Sequence, residues 1–262
     1  MTPVAVRGAA LIIAAGVSPF HAEQRMDTEK PRTVLGYFNS IARRYDVMNT
    51  LLSFGLHVLW KKQAVRAAGL RSGDRVLDVC GGTADLAILA ANEVGPGGQV
   101  TVYDFCMQMM LAGKQKTAAA PPDRTIRYVC GDAQQIAARD AAFDAALIGF
   151  GLRNLTDRAQ GLREMYRILK QGGVLVCLEF SRPVFPLFRL LYNAYSFAVI
   201  PAAGRLIAGS GRAYRYLPAS IRAFPLPEQL SAMLRDAGFS DITYRRLTNG
   251  VAAVHVGRKG TG

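Results

Sequence analysis

The stretch "VLDVCGGTAD", Val76 to Asp85, is an apolar run that ends at two glycines. Asp78 lies inside this run, although acidic residues are depleted in strands. Similar apolar runs follow it and alternate with segments whose apolar residues have helical spacing. With the first, they read RVLDV, QVTVYD, TIRYVCGDA, FDAALIGF and VLVCLEF. This alternation predicts a parallel sheet that is covered by helices on both faces.

The end of the chain has a different rhythm. Two β-like runs, "DITYRRL" and "VAAVHVGRK", flank "TNG", and an Asn-Gly turn between such runs predicts an antiparallel hairpin. Ordinary dinucleotide-binding sheets end in parallel strands, whereas the sheet of S-adenosylmethionine (SAM)-dependent methyltransferases ends in such a hairpin. We therefore predict an α/β fold of the Rossmann-like class I methyltransferase type. Its sheet has seven strands, is mostly parallel and ends in the antiparallel hairpin.

We predict one domain, residues 26–262. Residues 1–25 contain only a short apolar stretch, "LIIAAGV", without a convincing cleavage site. We interpret them as a disordered or wrongly assigned extension, with Met26 as the natural start. Within the domain, residues 36–70 are predicted to form helices on the substrate side. Residues 184–222 are predicted to be an insertion that roofs the substrate pocket.

The charge balance suits an anionic partner, because 32 Lys and Arg outnumber 19 Asp and Glu. From Arg182 to the end, eleven basic and three acidic residues contribute +8 of the net charge of +13. A nucleic-acid methyltransferase is one alternative. Enzymes that flip a base for amino methylation carry an acid or Asn before Pro-Pro-aromatic after the fourth strand, where this chain has "GFGLRN". We therefore expect no nucleic acid partner.

The four cysteines show no metal-binding spacing, and we expect no metal. We interpret them as buried free thiols in a reducing cytoplasm.

The residues at the predicted strand ends suit a nucleoside without phosphate. Gly81 and Gly82 let a ligand approach the backbone, but the turn lacks the third glycine of the dinucleotide pattern. Asp104 ends the second strand, where a carboxylate can accept hydrogen bonds from both hydroxyls of a ribose. Asp132 and Ala133 follow the third strand, where they can meet the adenine ring. The alternative is that these residues are helix caps and turn residues.

Four longer motifs resemble one family. They are "YDVMNTLLSFGLHVLWK" (45–61), "VLDVCGGTADLA" (76–87), "GFGLRNLTDRAQGLREMYRILKQGGVLVCLEFSRP" (149–183) and "AYRYLPASIRAFP" (213–225). Together they resemble the UbiE/MenG family, the C-methyltransferases of menaquinone and ubiquinone biosynthesis. The resemblance covers residues 36–259. Its most specific parts are "FGLRN" and "YRYLPASI".

The resemblance implies a SAM-dependent enzyme that methylates a polyprenylated quinol ring. The cofactor-binding residues that we predict are Asp78, Gly81, Gly82, Thr83, Asp104, Asp132, Ala133 and Gly149. Two positions depart from the family. Ala84 replaces a usual glycine, and its small methyl group is tolerable if φ is negative. Gly149 replaces a frequent serine, and we expect this to remove one hydrogen bond to SAM.

A quinol carbon becomes nucleophilic when a neighbouring hydroxyl loses its proton, so the site needs a base and a cation. We predict that Arg153 stabilises the quinolate and that Asn154 orients the ring. Tyr45 and Asp46 are predicted to close over the site. Asp46 or Asp104 is our candidate for holding a water that acts as base.

Three neighbouring side chains have other interpretations. For Arg153 the alternative is a salt bridge to Asp157 or Glu164. We expect His57 to be a surface or capping residue and Trp60 to belong to the core.

A polyprenyl tail needs an apolar path, and residues 184–209 are the longest apolar stretch. Arg189 and Arg205 bracket fifteen uncharged residues, too few to span a bilayer. We predict a helix, broken near Pro201, that contacts the inner face of the membrane peripherally in a cytoplasmic protein. A buried core helix is the alternative.

Several points remain open. The alternative functions are a methyltransferase for another small phenol or lipid, and a SAM- or lipid-binding protein without catalysis. The sequence does not decide between a naphthoquinol and a benzoquinol ring. It also leaves the oligomeric state open, a homodimer included.

Overall fold

The computed structural model describes residues 32–118, 125–208 and 211–261. Helices α1 to α10 span 32–41, Tyr45–Leu52, Leu56–Ala68, Asp85–Val94, Met107–Thr117, Arg158–Ile168, Pro186–Ala194, Ile200–Ala208, Gly211–Ala223 and Pro227–Asp236. Strands β1 to β7 span Arg75–Val79, Gln99–Asp104, Thr125–Cys130, Phe143–Gly149, Leu169–Phe180, Ser240–Leu247 and Ala252–Arg258. The predicted extension, residues 1–25, lies outside the described residues.

The seven strands form one sheet in the order β3-β2-β1-β4-β5-β7-β6. Strands β1 to β5 are parallel, and β7 is antiparallel to both of its neighbours, β5 and β6. This confirms the predicted fold. The strand order reverses between β1 and β4, and such a switch point opens a crevice at the carboxyl ends of the strands.

Successive residues of each strand pack into different cores. Val76 of β1 packs with α3 and α4 on one face of the sheet. Its neighbour Leu77 packs with α6 and α10 on the other face. Both faces are therefore covered, and the buried central strands explain the nearly continuous apolar runs. The connection 131–142 between β3 and β4 contains no helix, so the carboxyl end of β3 stays accessible.

The boundary between α6 and β5 differs from the prediction. The apolar spacing in DRAQGLREMYRILK (157–170), followed by QGG, predicts a helix to Lys170, but α6 ends at Ile168 and β5 begins at Leu169. Leu169 is fully buried and pairs with Phe143, before the register shifts toward Ala145. Tertiary pairing here outweighs the local helix signal.

The cysteine prediction holds only in part. Cys106 and Cys177 are buried, but Cys80 is half-buried and Cys130 is exposed. Cys130 ends β3, the edge strand of the sheet, where only one side is paired.

The predicted helix break near Pro201 takes the form of a π-helical turn, Tyr195–Val199, between α7 and α8. Proline has no N–H and its ring crowds the carbonyl four residues earlier, so the disturbance precedes Pro201 in the chain.

Candidate active site

A cleft of about 140 Å³ lies at the carboxyl ends of β1 to β4. The turn after β1, the end of β2, the loop after β3 and the loop after β4 form its floor and walls. Val34, Phe38 and Tyr45, from the N-terminal helices, cover it. The cleft includes all eight predicted cofactor-binding residues: Asp78, Gly81, Gly82, Thr83, Asp104, Asp132, Ala133 and Gly149.

The turn after β1 allows no larger side chains. A Cβ atom at Gly81 would lie 2.8 Å from Asp78 Oδ2, and Gly82 has a φ of +49°. Ala84, which ends the turn, has a φ of +67°. The condition of a negative φ is therefore not met. A left-handed alanine costs about 1 kcal/mol, although its buried methyl group packs in the core.

Asp78 is an almost fully buried carboxyl group beneath the cleft. Its Oδ2 accepts the Ala87 N–H at 3.0 Å, while Oδ1 is buried without a hydrogen-bond partner in the described part of the chain. Burial raises the pKa of Asp78 to about 8, with a smaller contribution from the nearby Asp104. The unpaired oxygen can accept a hydrogen bond from a cationic group in the cleft.

Asp104 is held by two backbone N–H groups. Gly82 N donates to Oδ2 at 2.9 Å, and Cys106 N donates to Oδ1 at 2.7 Å. Burial raises the pKa of Asp104 to about 6 in spite of these bonds. Each oxygen keeps a second lone pair, so the fixed carboxylate suits the two hydroxyls of a ribose.

The loop after β3 brings an acid and an open backbone to the cleft. Asp132 is exposed and accepts the Gln134 N–H at 2.9 Å, whereas Ala133 is buried. Preceding them, Gly131 packs against Tyr103: a Cβ atom there would lie 2.1 Å from the Tyr103 hydroxyl oxygen.

Gly149 is explained by its neighbour. A Cβ atom at this position would lie 2.6 Å from Leu86 Cδ1. A serine therefore does not fit here unless Leu86 moves. The glycine at position 149, where the family often has serine, is therefore explained by the contact that a larger side chain would make with Leu86.

A charged network ties the N-terminal helices to the turn. Asp46 of α2 accepts the Thr83 hydroxyl at 2.8 Å and the Lys116 ammonium at 2.8 Å. Lys116 also contacts Asp85, and Lys61 of α3 lies 2.5 Å from Asp85. Burial opposes ionisation of Asp85, but the two lysines lower its pKa below the usual value. The network fixes α2 over the cleft.

Asp46 and Asp104, the two candidates for holding a catalytic water, differ in their access to the cleft. Asp104 lines the cleft, whereas Asp46 lines neither the cleft nor the second cavity described next. Asp46 instead positions Thr83 and Lys116.

The second cavity encloses about 430 Å³ and adjoins the cleft. Its walls come from α1 to α3, the ends of β4 and β5, and α7 to α9, and most of its lining residues are aromatic or aliphatic. Phe38, Tyr45 and Phe150 line both spaces. These three residues, which we name the junction, mark where a group can pass between them.

Aromatic rings form one wall of the second cavity. The Phe150 and Phe180 ring centroids lie 4.4 Å apart, and Trp60 lies 6.4 Å from Phe150. Trp60 is buried, as predicted, and donates its indole N–H to Thr248 at 2.9 Å. Phe150 has a φ of +57°, a strained conformation of the kind that clusters at functional sites.

Arg153 borders the second cavity as a buried cation. Its Nη1 lies 3.1 Å from Glu179 Oε2 and also contacts the Phe150 carbonyl, while its Nε is buried without a partner in the described residues. Both predicted alternatives were wrong, because Asp157 caps α6 and Glu164 pairs with Arg167.

Sequence reasoning missed Glu179, the buried partner of Arg153. Glu179 lies in the strand run VLVCLEF, and a carboxylate in an otherwise apolar run was the available signal.

Asn154 faces the cleft and not the second cavity. Its side chain donates to the Phe150 carbonyl at 3.3 Å and accepts the Tyr216 hydroxyl at 3.2 Å. Tyr216 does line the second cavity, so this hydrogen bond connects Asn154 to that cavity.

His57 was predicted at the surface, but the fold buries it in the wall of the second cavity. Its Nε2 lies 3.1 Å from Thr50 Oγ1, and its Nδ1 is buried without a partner among the described residues. Burial, with the nearby Lys61, lowers the pKa of His57. The ring is therefore neutral at pH 7 and able to accept a proton.

Residues 32–118, 125–208 and 211–261 contain neither a metal-binding cluster nor a membrane-spanning helix. No group of three His, Cys, Asp or Glu side chains is arranged to hold a metal ion. Within the same ranges, none of the helices combines the length and apolarity needed to span a membrane.

Known proteins resemble this chain in sequence. Residues 24–259 match the model of the ubiE/COQ5 methyltransferase family. The ubiquinone/menaquinone biosynthesis C-methyltransferase UbiE of Francisella philomiragia is 43% identical over 231 residues, which cover 88% of this chain and 92% of the relative. The protein of the same name from Pseudomonas putida (strain W619) is 44% identical over 233 residues, 89% of this chain and 91% of the relative.

Solved structures agree on the fold. A SAM-dependent methyltransferase from Thermotoga maritima has a TM-score of 0.61 at 19% identity and covers 86% of this chain and 99% of its own. Phosphoethanolamine N-methyltransferase 2 of Haemonchus contortus, in complex with SAM, has a TM-score of 0.58 at 14% identity, over 76% of this chain and 52% of its own. At such identities the likeness concerns the fold alone.

Proposed function

The chain belongs to the ubiE/COQ5 methyltransferase family, and from that premise we propose that it transfers the SAM methyl group to a ring carbon of a polyprenylated quinol in menaquinone or ubiquinone biosynthesis. One observation carries this proposal: a polar cleft with fixed carboxylates and a large aromatic cavity share the junction Phe38, Tyr45 and Phe150. Methyl transfer requires two binding sites whose reacting atoms come within about 3–3.5 Å.

The cleft fits SAM by its unsatisfied and sterically open groups. SAM supplies a methyl group on a cationic sulfur. Asp78 Oδ1 would accept its ammonium, Asp104 its ribose hydroxyls, and Asp132 with the Ala133 backbone its adenine. Gly81 and Gly82 line the cleft and have no side chain that would obstruct a ligand at the turn. Thr83, positioned by Asp46, completes this end of the site.

Arg153 serves the ring oxygen in this proposal. Its charge is offset by Glu179, but Nε remains an unpaired buried donor on the wall of the second cavity. A hydrogen bond from this donor would stabilise the quinolate as the hydroxyl loses its proton, because negative charge grows on the oxygen. Tyr45, at the junction, would hold the ring against the cleft.

The hydroxyl proton requires an acceptor, and His57 is our candidate. It lines the second cavity, its ring is kept neutral by burial, and its Nδ1 has no partner within the described chain. The catalytic set that we propose is therefore Arg153, His57 and Tyr45, with Asn154 and Asp46 as positioning residues.

The prenyl tail would leave the cavity between α2 and α7. Phe54, Phe188 and Leu191 line the cavity and are also exposed, so an apolar path reaches the surface there. We propose that this side of a cytoplasmic protein contacts the inner face of the membrane peripherally.

The test is a pair of variants at the buried ion pair. Arg153→Gln together with Glu179→Gln removes both charges and keeps a polar side chain at each position, so no charge is left buried alone. We expect SAM affinity to stay within a few-fold and turnover to fall by about 100-fold, the effect of losing one donor to a developing oxyanion.

Glu179→Gln alone is the control that keeps the Arg153 donor. Its thermal unfolding temperature is measured as well, because it leaves the buried Arg153 charge without its partner. We expect it to retain more turnover than the double variant. Loss of SAM binding with normal turnover per bound SAM in the double variant would contradict the role of Arg153.

A further inference from the structure

A pocket of about 310 Å³, which we name the arginine pocket, is bordered by Arg182, Arg189 and Arg222. It lies beside the second cavity, which we call the substrate cavity from here on. All three arginines are exposed, and within the described residues none of them forms a salt bridge. The pocket lining contains no Asp or Glu. In the sequence, residues 180–227 contain six arginines and no acidic residue. The arginines are therefore available to an anionic ligand.

Two contacts orient this cluster. Arg182 Nη2 donates to the Arg222 carbonyl at 2.5 Å, and the Arg222 guanidinium lies 4.0 Å from the centroid of the Phe197 ring. These contacts hold Arg182 and Arg222 at one place, and Arg189 borders the same pocket. Guanidinium groups match the geometry of a phosphate bidentately.

Helix α7 next to the pocket is apolar and uncovered. It has no buried residue, and Leu187, Leu190 and Leu191 are 60%, 66% and 61% exposed. Phe185, which precedes it, is 59% exposed. Arg189, in the same helix, borders the arginine pocket. A helix with exposed leucines beside basic groups is typical of one that lies in a membrane interface.

The arginine pocket and the substrate cavity share one wall. Tyr192, Ser196, Pro218 and Ile221 line both. Leu191 of α7 lines the substrate cavity and is exposed at the same time. The basic pocket, the apolar helix and the outlet of the cavity therefore lie on one side of the molecule.

We propose that this pocket binds the phosphate of an anionic phospholipid while α7 lies in the bilayer interface, so that the substrate cavity opens toward lipid. The inference rests on the proposed function, because a polyprenylated substrate resides in the bilayer. Charge complementarity selects the occupant: the surface offers arginines and leucines without carboxylates, and an anionic bilayer offers phosphates above hydrocarbon.

The experiment measures co-sedimentation of the full chain with vesicles of phosphatidylcholine alone or mixed with phosphatidylglycerol. The pocket variant is Arg182→Gln, Arg189→Gln and Arg222→Gln. Its charge-matched control is Arg71→Gln, Arg127→Gln and Arg139→Gln, which are exposed residues before β1, in β3 and in the loop after β3. Both variants lose the same net charge.

We expect the protein to bind the anionic vesicles in a salt-sensitive way. Each pocket arginine contributes about fivefold, so the pocket variant should bind about 100-fold more weakly, and the control only a few-fold. Leu187→Asn with Leu190→Asn should weaken binding to both kinds of vesicle. All variants should keep their thermal unfolding temperature and their activity on a short-chain quinol.

Three outcomes would overturn the proposal. The pocket variant could bind anionic vesicles as tightly as its control. Inorganic phosphate could raise the unfolding temperature through these arginines while vesicles do not bind, which would make this a site for free phosphate. Binding could need an acidic protein and not lipid. Vesicle binding without short-chain activity, in contrast, would contradict the proposed function and leave the docking site intact.

Discussion

Replacing Asp78 by asparagine should make the ligand-free protein more stable and the SAM complex weaker. The pKa of this buried carboxyl is raised by burial from 3.8 to about 8. In the unfolded chain the group is ionised at pH 7, whereas in the native state it holds a proton. Keeping that proton bound costs about 4 kcal/mol of folding stability at pH 7. An unpaired buried amide in the variant costs about 1–2 kcal/mol, so a net gain of about 2 kcal/mol remains.

The raised pKa of Asp78 also determines how the folding stability changes with pH. A carboxyl with a raised native pKa contributes its full stability below the unfolded pKa of 3.8, and this contribution is lost as the pH rises toward about 8. The stability of the original protein should therefore fall between pH 4 and pH 8 relative to Asp78→Asn. Asp104, whose pKa burial raises to about 6, titrates in both proteins, so the difference between them isolates Asp78.

The assays are urea unfolding across this pH range and calorimetric titration with SAM. The ammonium group of bound SAM would draw the proton off Asp78, and asparagine cannot supply the resulting charged acceptor, so the variant should bind SAM about 10- to 100-fold more weakly. The control is Asp144→Asn, at a residue outside the walls of the cleft. Partial burial raises the pKa of Asp144, but the hydrogen bonds and charges of Lys170 and Arg75 together lower it below the usual value, so its stability trend has the opposite sign. Parallel stability curves for the Asp78 variant and the original protein would refute the buried, protonated carboxyl. Unchanged SAM affinity would refute its role in the cleft.

Two further predictions concern His57, the proposed base, and Gly149, the last residue of β4. Since burial and Lys61 lower the pKa of His57, turnover should rise with pH around a midpoint below 6.5 and then level off. His57→Asn should lower kcat by at least tenfold and abolish that rise, and a retained profile excludes this base. Gly149→Ser should reduce stability by about 1–3 kcal/mol because of the contact with Leu86. Adding Leu86→Ala should recover part of that loss in a double-mutant cycle of unfolding free energies, and strict additivity would disprove the steric coupling.

The sheet could be predicted from the sequence because its strands are buried on both faces. Five apolar runs and a hairpin around Asn249 carry the topology, and the antiparallel pairing of β6 with β7 agrees with it. The strand ends could also be predicted as a ligand site, since parallel strands bring Asp104 and Asp132 to one edge.

Features that depend on tertiary contacts were not accessible from local patterns. The left-handed Ala84 arises from the tight turn between β1 and α4, where local sequence favours no such conformation. Glu179 is a partner for Arg153 only because β5 lies beside the loop after β4. His57 lies in the wall of the second cavity, which α7 to α9 complete from a distant part of the chain.

The most direct measurement of the central claim is transfer of an isotopically labelled methyl group. The purified protein would be incubated under reducing conditions with SAM labelled in its methyl group and with short-chain demethylmenaquinol or its benzoquinol counterpart. If the protein is a C-methyltransferase, the product carries the label on a ring carbon. A label on oxygen, or SAM binding without any labelled quinone, would contradict it.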